Sequence, residues 1–175
     1  MQKAKDLLAK AGLTPPVKFD CYITNAPDSI TIGQALKEQL AEAGFDMNIQ
    51  LLDFPTALAK NTAKDYTCWQ VGWSGRPDPD GNTYSFLYST GPGNNESYKN
   101  PQVDKLLDQA RASYDQAQRK QLYSDALKIV VTEVNYPYLW WPTDIKLYSP
   151  KVSGFVHVPD GMIRTKEMWL AKGTQ

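Results

Sequence analysis

Val17-Lys18-Phe19-Asp20-Cys21-Tyr22-Ile23-Thr24 places Val17, Phe19, Cys21 and Ile23 on one side of the chain and Lys18, Asp20 and Tyr22 on the other. A repeat of two residues is the signature of a β-strand with unlike faces. After the turn Asn25-Ala26-Pro27-Asp28, in which Asp28 is placed to cap a helix, Ile32, Ala35, Leu36, Gln39, Leu40 and Ala43 recur at helical spacing up to Gly44. Phe45, Met47, Ile49 and Leu51 then alternate with Asp46, Asn48 and Gln50, which predicts a second strand with one polar face, suited to a sheet edge. A short crossover helix over 56–63 and an aromatic strand over 66–73 complete a β-α-β-α-β order. The expected fold class is α/β, a mainly parallel sheet with helices on both faces. In such sheets ligands sit outside the carboxyl ends of the strands, here the loops 24–28 and 74–82.

Working outward, residues 4–11 space Leu7, Leu8 and Ala11 as one face of a helix that stops at Gly12. On the other side, Pro77-Asp78-Pro79-Asp80-Gly81-Asn82 stacks turn formers, and the aromatic segment 84–88 and the loop Gly91-Pro92-Gly93-Asn94-Asn95 read as loops on a scaffold. Asn100-Pro101 supplies a cap and a first-turn proline for a helix carrying Val103, Leu106, Leu107 and Ala110, and Asp115 with Gln118 opens another as a capping box. From Tyr136 the chain returns to strand-like composition as far as Val158, the expected strand-rich tail.

At 175 residues, with 42% hydrophobic and 22% charged residues, the chain is long and apolar enough for one main folded unit. Nineteen basic and nineteen acidic residues are interspersed, so no basic footprint for nucleic acid exists. No apolar run reaches the length of a membrane span, and the start, residues 1–10, lacks the apolar stretch and cleavage site of a secretion signal. One histidine, His157, and two cysteines, Cys21 and Cys68, cannot build the usual zinc sites. Both cysteines fall in strand-like segments, where a free cysteine commonly packs as a small hydrophobe, a disulfide being the alternative and the redox compartment staying open; His157 reads as a strand residue facing polar surroundings. Asp78, Asp80 and Asn82 alternate like a calcium loop, but Thr83 and Ser89 stand where that loop needs glycine and glutamate. In so turn-rich a segment Asp78 and Asp80 read as capping carboxylates rather than a catalytic acid and base. Trp140 and Trp141 read as packing residues, whereas Trp73 stands where a strand leaves the sheet into a glycine-containing loop and suits a pocket wall as well as a core. No cofactor or metal is expected.

Ala4-Lys5-Asp6-Leu7-Leu8-Ala9-Lys10-Ala11-Gly12, Gln39-Leu40-Ala41-Glu42-Ala43-Gly44-Phe45 and Gly72-Trp73-Ser74-Gly75 with Asp78-Pro79 resemble, in order, motifs of one family. Asn95, Tyr98, Asn100-Pro101, Asp104, Leu107, Ala110-Arg111, Asp115, Arg119, Leu122-Tyr123 and Val152-Ser153-Gly154-Phe155 continue the match. The family is that of the extracytoplasmic solute-binding proteins, family 5, the dipeptide, oligopeptide and nickel class that serves ABC transporters. The resemblance implies a periplasmic-binding-protein type II lobe. It implies the carboxyl-terminal part of a longer exported protein: residues 1–140 as most of the second lobe and 141–175 as a tail returning to the first.

It implies no catalysis, a small-molecule or peptide ligand, and a transporter permease as partner. The location implied is the periplasm or the outer face of the cytoplasmic membrane, with membrane contact only through the transporter or a lipid anchor. Peptide-binding relatives pair ligand main chain with the strand end equivalent to Gly72, Trp73 and Ser74, and place an acidic residue three positions after the tryptophan for the peptide ammonium group. Here that position holds Arg76, whose guanidinium favours a carboxylate or phosphate. The expected ligand-binding set is therefore Gly72, Trp73, Ser74, Gly75, Arg76, Asp78, Asn25 and Tyr98. Arg76 has a second course open to it, pairing with Asp78 or Asp80. Two other classes remain: an α/β hydrolase or transferase using Ser74 and Asp78, which needs His157 within reach of Ser74, and an interaction module using the aromatic residues after 136.

Overall fold

The computed structural model describes residues 1–72, 74–139, 143–158 and 160–171. Packing divides the chain into two compact units, Met1–Trp73 and Ser74–Gln175.

The first unit runs α1 (Gln2–Lys10), β1 (Val17–Thr24), α2 (Pro27–Glu42), β2 (Phe45–Leu52), α3 (Phe54–Thr62) and β3 (Cys68–Gln70). Both strand pairings are parallel and the order is β2-β1-β3, so β2 is an edge strand as its polar face requires. The β1/β2 register runs from Val17 opposite Phe45 to Thr24 opposite Leu52. That register puts Phe19, Cys21, Ile23, Met47 and Ile49 on one face, where Leu36 and Leu40 of α2 pack on them and Gly33 lies against the buried Ile23 side chain. The opposite face carries Tyr22 and Trp69; α3 covers it, Lys60 standing 5.3 Å over the Tyr22 ring and Phe54 packing on Trp69. Helices therefore lie on both faces, as alternation of sequence pattern predicts. Gly12 and Gly44 end α1 and α2 with φ of +71° and +98°, a backbone that a side chain strains.

The second unit contains α4 (Asp80–Leu87), α5 (Pro101–Ala112), α6 (Gln116–Glu133) and a two-stranded antiparallel ribbon of β4 (Val152–Ser153) and β5 (Trp169–Leu170). Its core joins Leu87 of α4, Val103, Leu107 and Ala110 of α5, Tyr123, Ala126 and Val130 of α6, and Tyr98. Asn100 caps α5 by accepting from the amides of Gln102 and Val103. Asp115 caps α6 at the Gln118 amide, but the Gln118 side chain accepts from Ser113 instead of closing the box. The family-motif residue Asp104 is structural, accepting from the Ser89 amide at 2.8 Å.

Several sequence expectations are corrected. The third strand, expected over 66–73, is confined to Cys68–Gln70, which pair with Cys21, Tyr22 and Ile23 of β1. Ala26, not Asp28, is the N-cap of α2; Asp28 sits in the first turn, where a carboxylate still favours the positive helix end. Residues 80–87, expected as loop, form α4. Gly81 and Asn82 are poor helix formers, but Asp78 accepts from the Asp80 amide, Thr83 bonds back to the Pro79 carbonyl, and Thr83 and Leu87 bury the inner face. In the tail, strand structure among the described residues is confined to β4 and β5, and His157 lies in exposed loop rather than strand. Trp140 and Trp141 lie outside the described residues.

Tyr98 is 8% exposed and its hydroxyl donates to Glu133, which also accepts from Asn100. Burial, reinforced by the bond to and charge of Glu133, pushes the phenol well above its ordinary value. A raised value means that the fold favours the neutral phenol. Its contribution is complete below the unfolded value of about 10 and is lost as pH rises through the folded value. Tyr98→Phe is expected to cost about 1.5–3 kcal/mol near neutrality, the range for bonds to charged groups. It is also expected to flatten the alkaline decline, which urea unfolding at about pH 8 and about pH 11 checks.

Candidate functional site

In the first unit the carboxyl ends of the strands form one rim. Two residues past the last β1/β3 pair, the two strands reach Asn25 and Gly72, both exposed. The Asn25 amide donates to the Leu52 carbonyl at 3.0 Å, and the Thr24 and Ser29 hydroxyls bond at 2.8 Å, holding the turn into α2. Asp53, at the end of β2, caps α3 through the Thr56 amide and hydroxyl, bonds that hold its carboxyl below the usual range. Among the described residues β3 pairs with β1 alone, so its outer edge carries unpaired main-chain groups. A Cβ added at Gly72 would meet no atom within 4 Å, its two chain neighbours aside.

In the second unit the same segment continues as an exposed loop, Ser74-Gly75-Arg76. The Arg76 guanidinium folds back on it, donating from Nη1 to the Ser74 carbonyl at 3.0 Å, the Ser74 hydroxyl at 2.9 Å and the Gly75 carbonyl at 3.2 Å. Asn82 clamps the backbone: Oδ1 accepts from the Arg76 amide and Nδ2 donates to the Arg76 carbonyl, each at 2.7 Å. The two loop carboxylates are engaged elsewhere, Asp78 with Arg119 at 2.9 and 3.0 Å and Asp80 with Arg111 at 3.0 Å. Among the described residues no carboxylate lies within 4 Å of Arg76, although Asp160, held low first by its bonds to Arg164, also feels the Arg76 charge.

The two courses open to Arg76 are thus narrowed: it pairs with neither Asp78 nor Asp80, and bonds neutral acceptors of its own loop. Asp78 braces α6 and caps the start of α4. Gly75 stays exposed, and a Cβ placed there would meet, its chain neighbours aside, only Asn82 Oδ1 at 4.0 Å. Tyr98 is placed in the core of the second unit, with its hydroxyl engaged by Glu133. Trp73 lies outside the described residues. Ser74 is bonded by Arg76, and no hydrogen bond among the described residues joins it to His157, so the nucleophile that the enzyme reading needs is not assembled. Among the described residues no group of three His, Cys, Asp or Glu side chains is placed to hold a metal ion.

In the sequence Asn82 reads only as a turn former and as part of a rejected calcium loop, although an Asx residue beside a Pro- and Gly-punctuated turn is a known backbone binder. Asn82→Ala removes the two 2.7 Å backbone bonds of an exposed loop. It is expected to cost about 1 kcal/mol, and to loosen residues 74–76 enough that their amides exchange hydrogen faster.

A family profile described as "Bacterial extracellular solute-binding proteins, family 5 Middle" matches residues 1–95. The chain is 32% identical over 165 residues to the probable D,D-dipeptide-binding periplasmic protein DdpA of Escherichia coli, covering 90% of this chain and 31% of that protein. It is 27% identical to the nickel-binding protein NikA of Staphylococcus aureus, covering 93% and 34%. Among solved structures it matches the periplasmic binding protein DppA of Helicobacter pylori in complex with the peptide STSA, with TM-score 0.78, 27% identity and coverage of 98% and 34%. It also shares the fold of the Escherichia coli murein tripeptide binding protein MppA, with TM-score 0.83, 24% identity and coverage of 98% and 35%. The chain spans about a third of the length of these relatives. Its parallel sheet with helices on both faces is that of the type II periplasmic binding proteins, and the chain belongs to the bacterial extracellular solute-binding proteins of family 5.

Proposed function

We propose that the chain supplies one wall of the cleft of an extracytoplasmic solute-binding protein, which captures a peptide-like or anionic small solute and presents it to the permease of an ABC importer. The observation that carries this reading is the exposed Gly72, two residues past β3, whose outer edge pairs with no strand among the described residues. Strand addition at such an edge binds an extended ligand through its main chain, and an arginine that reaches such a ligand selects acidic ends or side chains. Gly72, Ser74 and Gly75 would lend backbone groups, Arg76 a charge, and Asn25 one side of the rim; Trp73 would wall it. Residues 1–140 would belong to the second lobe and 141–175 would return to the first, which agrees with the exposure of Ile145, Leu147 and Leu170. Hinge closure over the solute would be the working motion. The setting is periplasmic or extracellular, and no described helix is long and apolar enough to cross a membrane.

The test is a thermal-shift screen of the full-length protein against peptides, opines, sugars and metal chelates, since a solute specific for the folded state raises the melting temperature by mass action. Arg76→Ala is expected to weaken acidic solutes about tenfold, some 1.4 kcal/mol, and to leave neutral ones unchanged. Equal affinity of both proteins for acidic solutes would remove Arg76 from the site.

A further inference from the structure

Cys21 lies on the central strand β1 and Cys68 opens the edge strand β3, and the parallel register pairs them directly. Their side chains leave the sheet on one face, and the sulfurs stand 3.0 Å apart, Cys21 donating its thiol proton to Cys68. Adjacent strands are about 4.7–4.9 Å apart, within the roughly 4.4–6.8 Å between Cα atoms that a disulfide spans. Both residues are free thiols, but they differ in access: Cys21 is buried, Cys68 only half-buried. The hydrogen bond received from Cys21 draws the Cys68 thiol below its ordinary value; the same bond, with burial, pushes Cys21 up. An outer sulfur primed as thiolate over an inner thiol is the arrangement in which dithiols exchange with disulfides.

We propose that Cys21 and Cys68 are a redox pair that closes into a disulfide between β1 and β3 in an oxidising compartment. The Cys68 thiolate attacks a small disulfide oxidant such as oxidised glutathione, forming a mixed disulfide and releasing one reduced thiol. Cys21, giving its proton to solvent, then attacks the Cys68 sulfur, forms the Cys21–Cys68 bond and releases the second thiol. The pair loses two electrons and two protons, and the oxidant is reduced to two thiols. The bond fixes a strand that is held to the sheet by three residue pairs and leads, two residues later, to Gly72. The inference depends on the proposed function only for its oxidising surroundings.

The test is made on the full chain with oxidised glutathione, followed by acid trapping, unfolding and alkylation. The expected product takes up no alkyl group, is lighter by two hydrogen atoms, and yields one proteolytic peptide joining the segments of Cys21 and Cys68; dithiothreitol restores both alkylation sites. Cys21→Ala is expected to stop at a stable glutathione adduct on Cys68. Two alkylatable thiols persisting in the unsubstituted protein, or a lasting glutathione adduct on it, would overturn the proposal whatever the variant does. Because the oxidation is carried out in vitro, its failure leaves the solute-binding reading standing. Equally, a full-length protein that binds no solute leaves the disulfide standing.

Discussion

Leu107→Ala is expected to destabilise the protein by about 2–5 kcal/mol, the range for truncating a leucine in a closed core. Leu107 is fully buried in α5, in one cluster with Val103 and Ala110 of its own helix and Tyr123, Ala126 and Val130 of α6. Removal of its branched end takes apolar area from the core and leaves a cavity. The surrounding helices cannot fill that cavity easily, because both are pinned at their starts by the Asn100 and Asp115 caps and α6 is tied back to the Ala110 carbonyl by Arg119. The size of the loss matters because a domain of this kind holds only about 5–15 kcal/mol in all. Tyr114, fully exposed at the tip of the same helical hairpin, is the matched control: Tyr114→Ala is expected to stay within about 0.5 kcal/mol. Urea unfolding of both variants checks this. A Leu107→Ala loss no greater than that of Tyr114→Ala would mean that the α5–α6 interface is not packed as described.

How far these elements are legible in the sequence depends on whether a local pattern or a distant partner decides them. β1 and β2 read correctly because strict alternation over eight residues has only one structural solution once one face must be buried. Asn100 and Asp115 read correctly because a cap acts on amides two and three residues away. α4 did not, since its stability comes from Asp78, Thr83 and the burial of Leu87, while its composition is that of a turn. The length of β3 was equally hidden, because how many of its residues pair is decided against β1, in another part of the chain. At the candidate site the segment from Gly72 to Arg76 stands out in sequence, but the fate of its charges does not. That Asp78 and Asp80 are bound by Arg119 and Arg111 of the helical hairpin, leaving Arg76 to neutral acceptors, depends on contacts over some thirty to forty residues of chain.

Gly72→Val in the full-length protein is expected to weaken solute binding about 10- to 100-fold while leaving stability within about 0.5 kcal/mol of the parent. The two halves of that expectation have different causes. Within the chain, a Cβ at Gly72 meets no atom within 4 Å apart from its chain neighbours, and the residue is not in the left-handed region, so a β-branched residue suits the backbone there. A glycine at a strand end whose missing side chain is filled by no part of the fold is a place for close approach by another molecule. Under the proposed strand addition that molecule is the solute. Valine then occupies its volume, and the loss matches the cost of about 1–3 kcal/mol for forcing a side chain into filled space. Calorimetric titration with the best solute from the thermal-shift screen, alongside the melting temperature of the free protein, separates the outcomes. Weaker binding with an unchanged melting point supports the edge at Gly72 as the ligand's seat. Unchanged binding moves the solute off this rim, and with it the role assigned to Ser74 and Arg76.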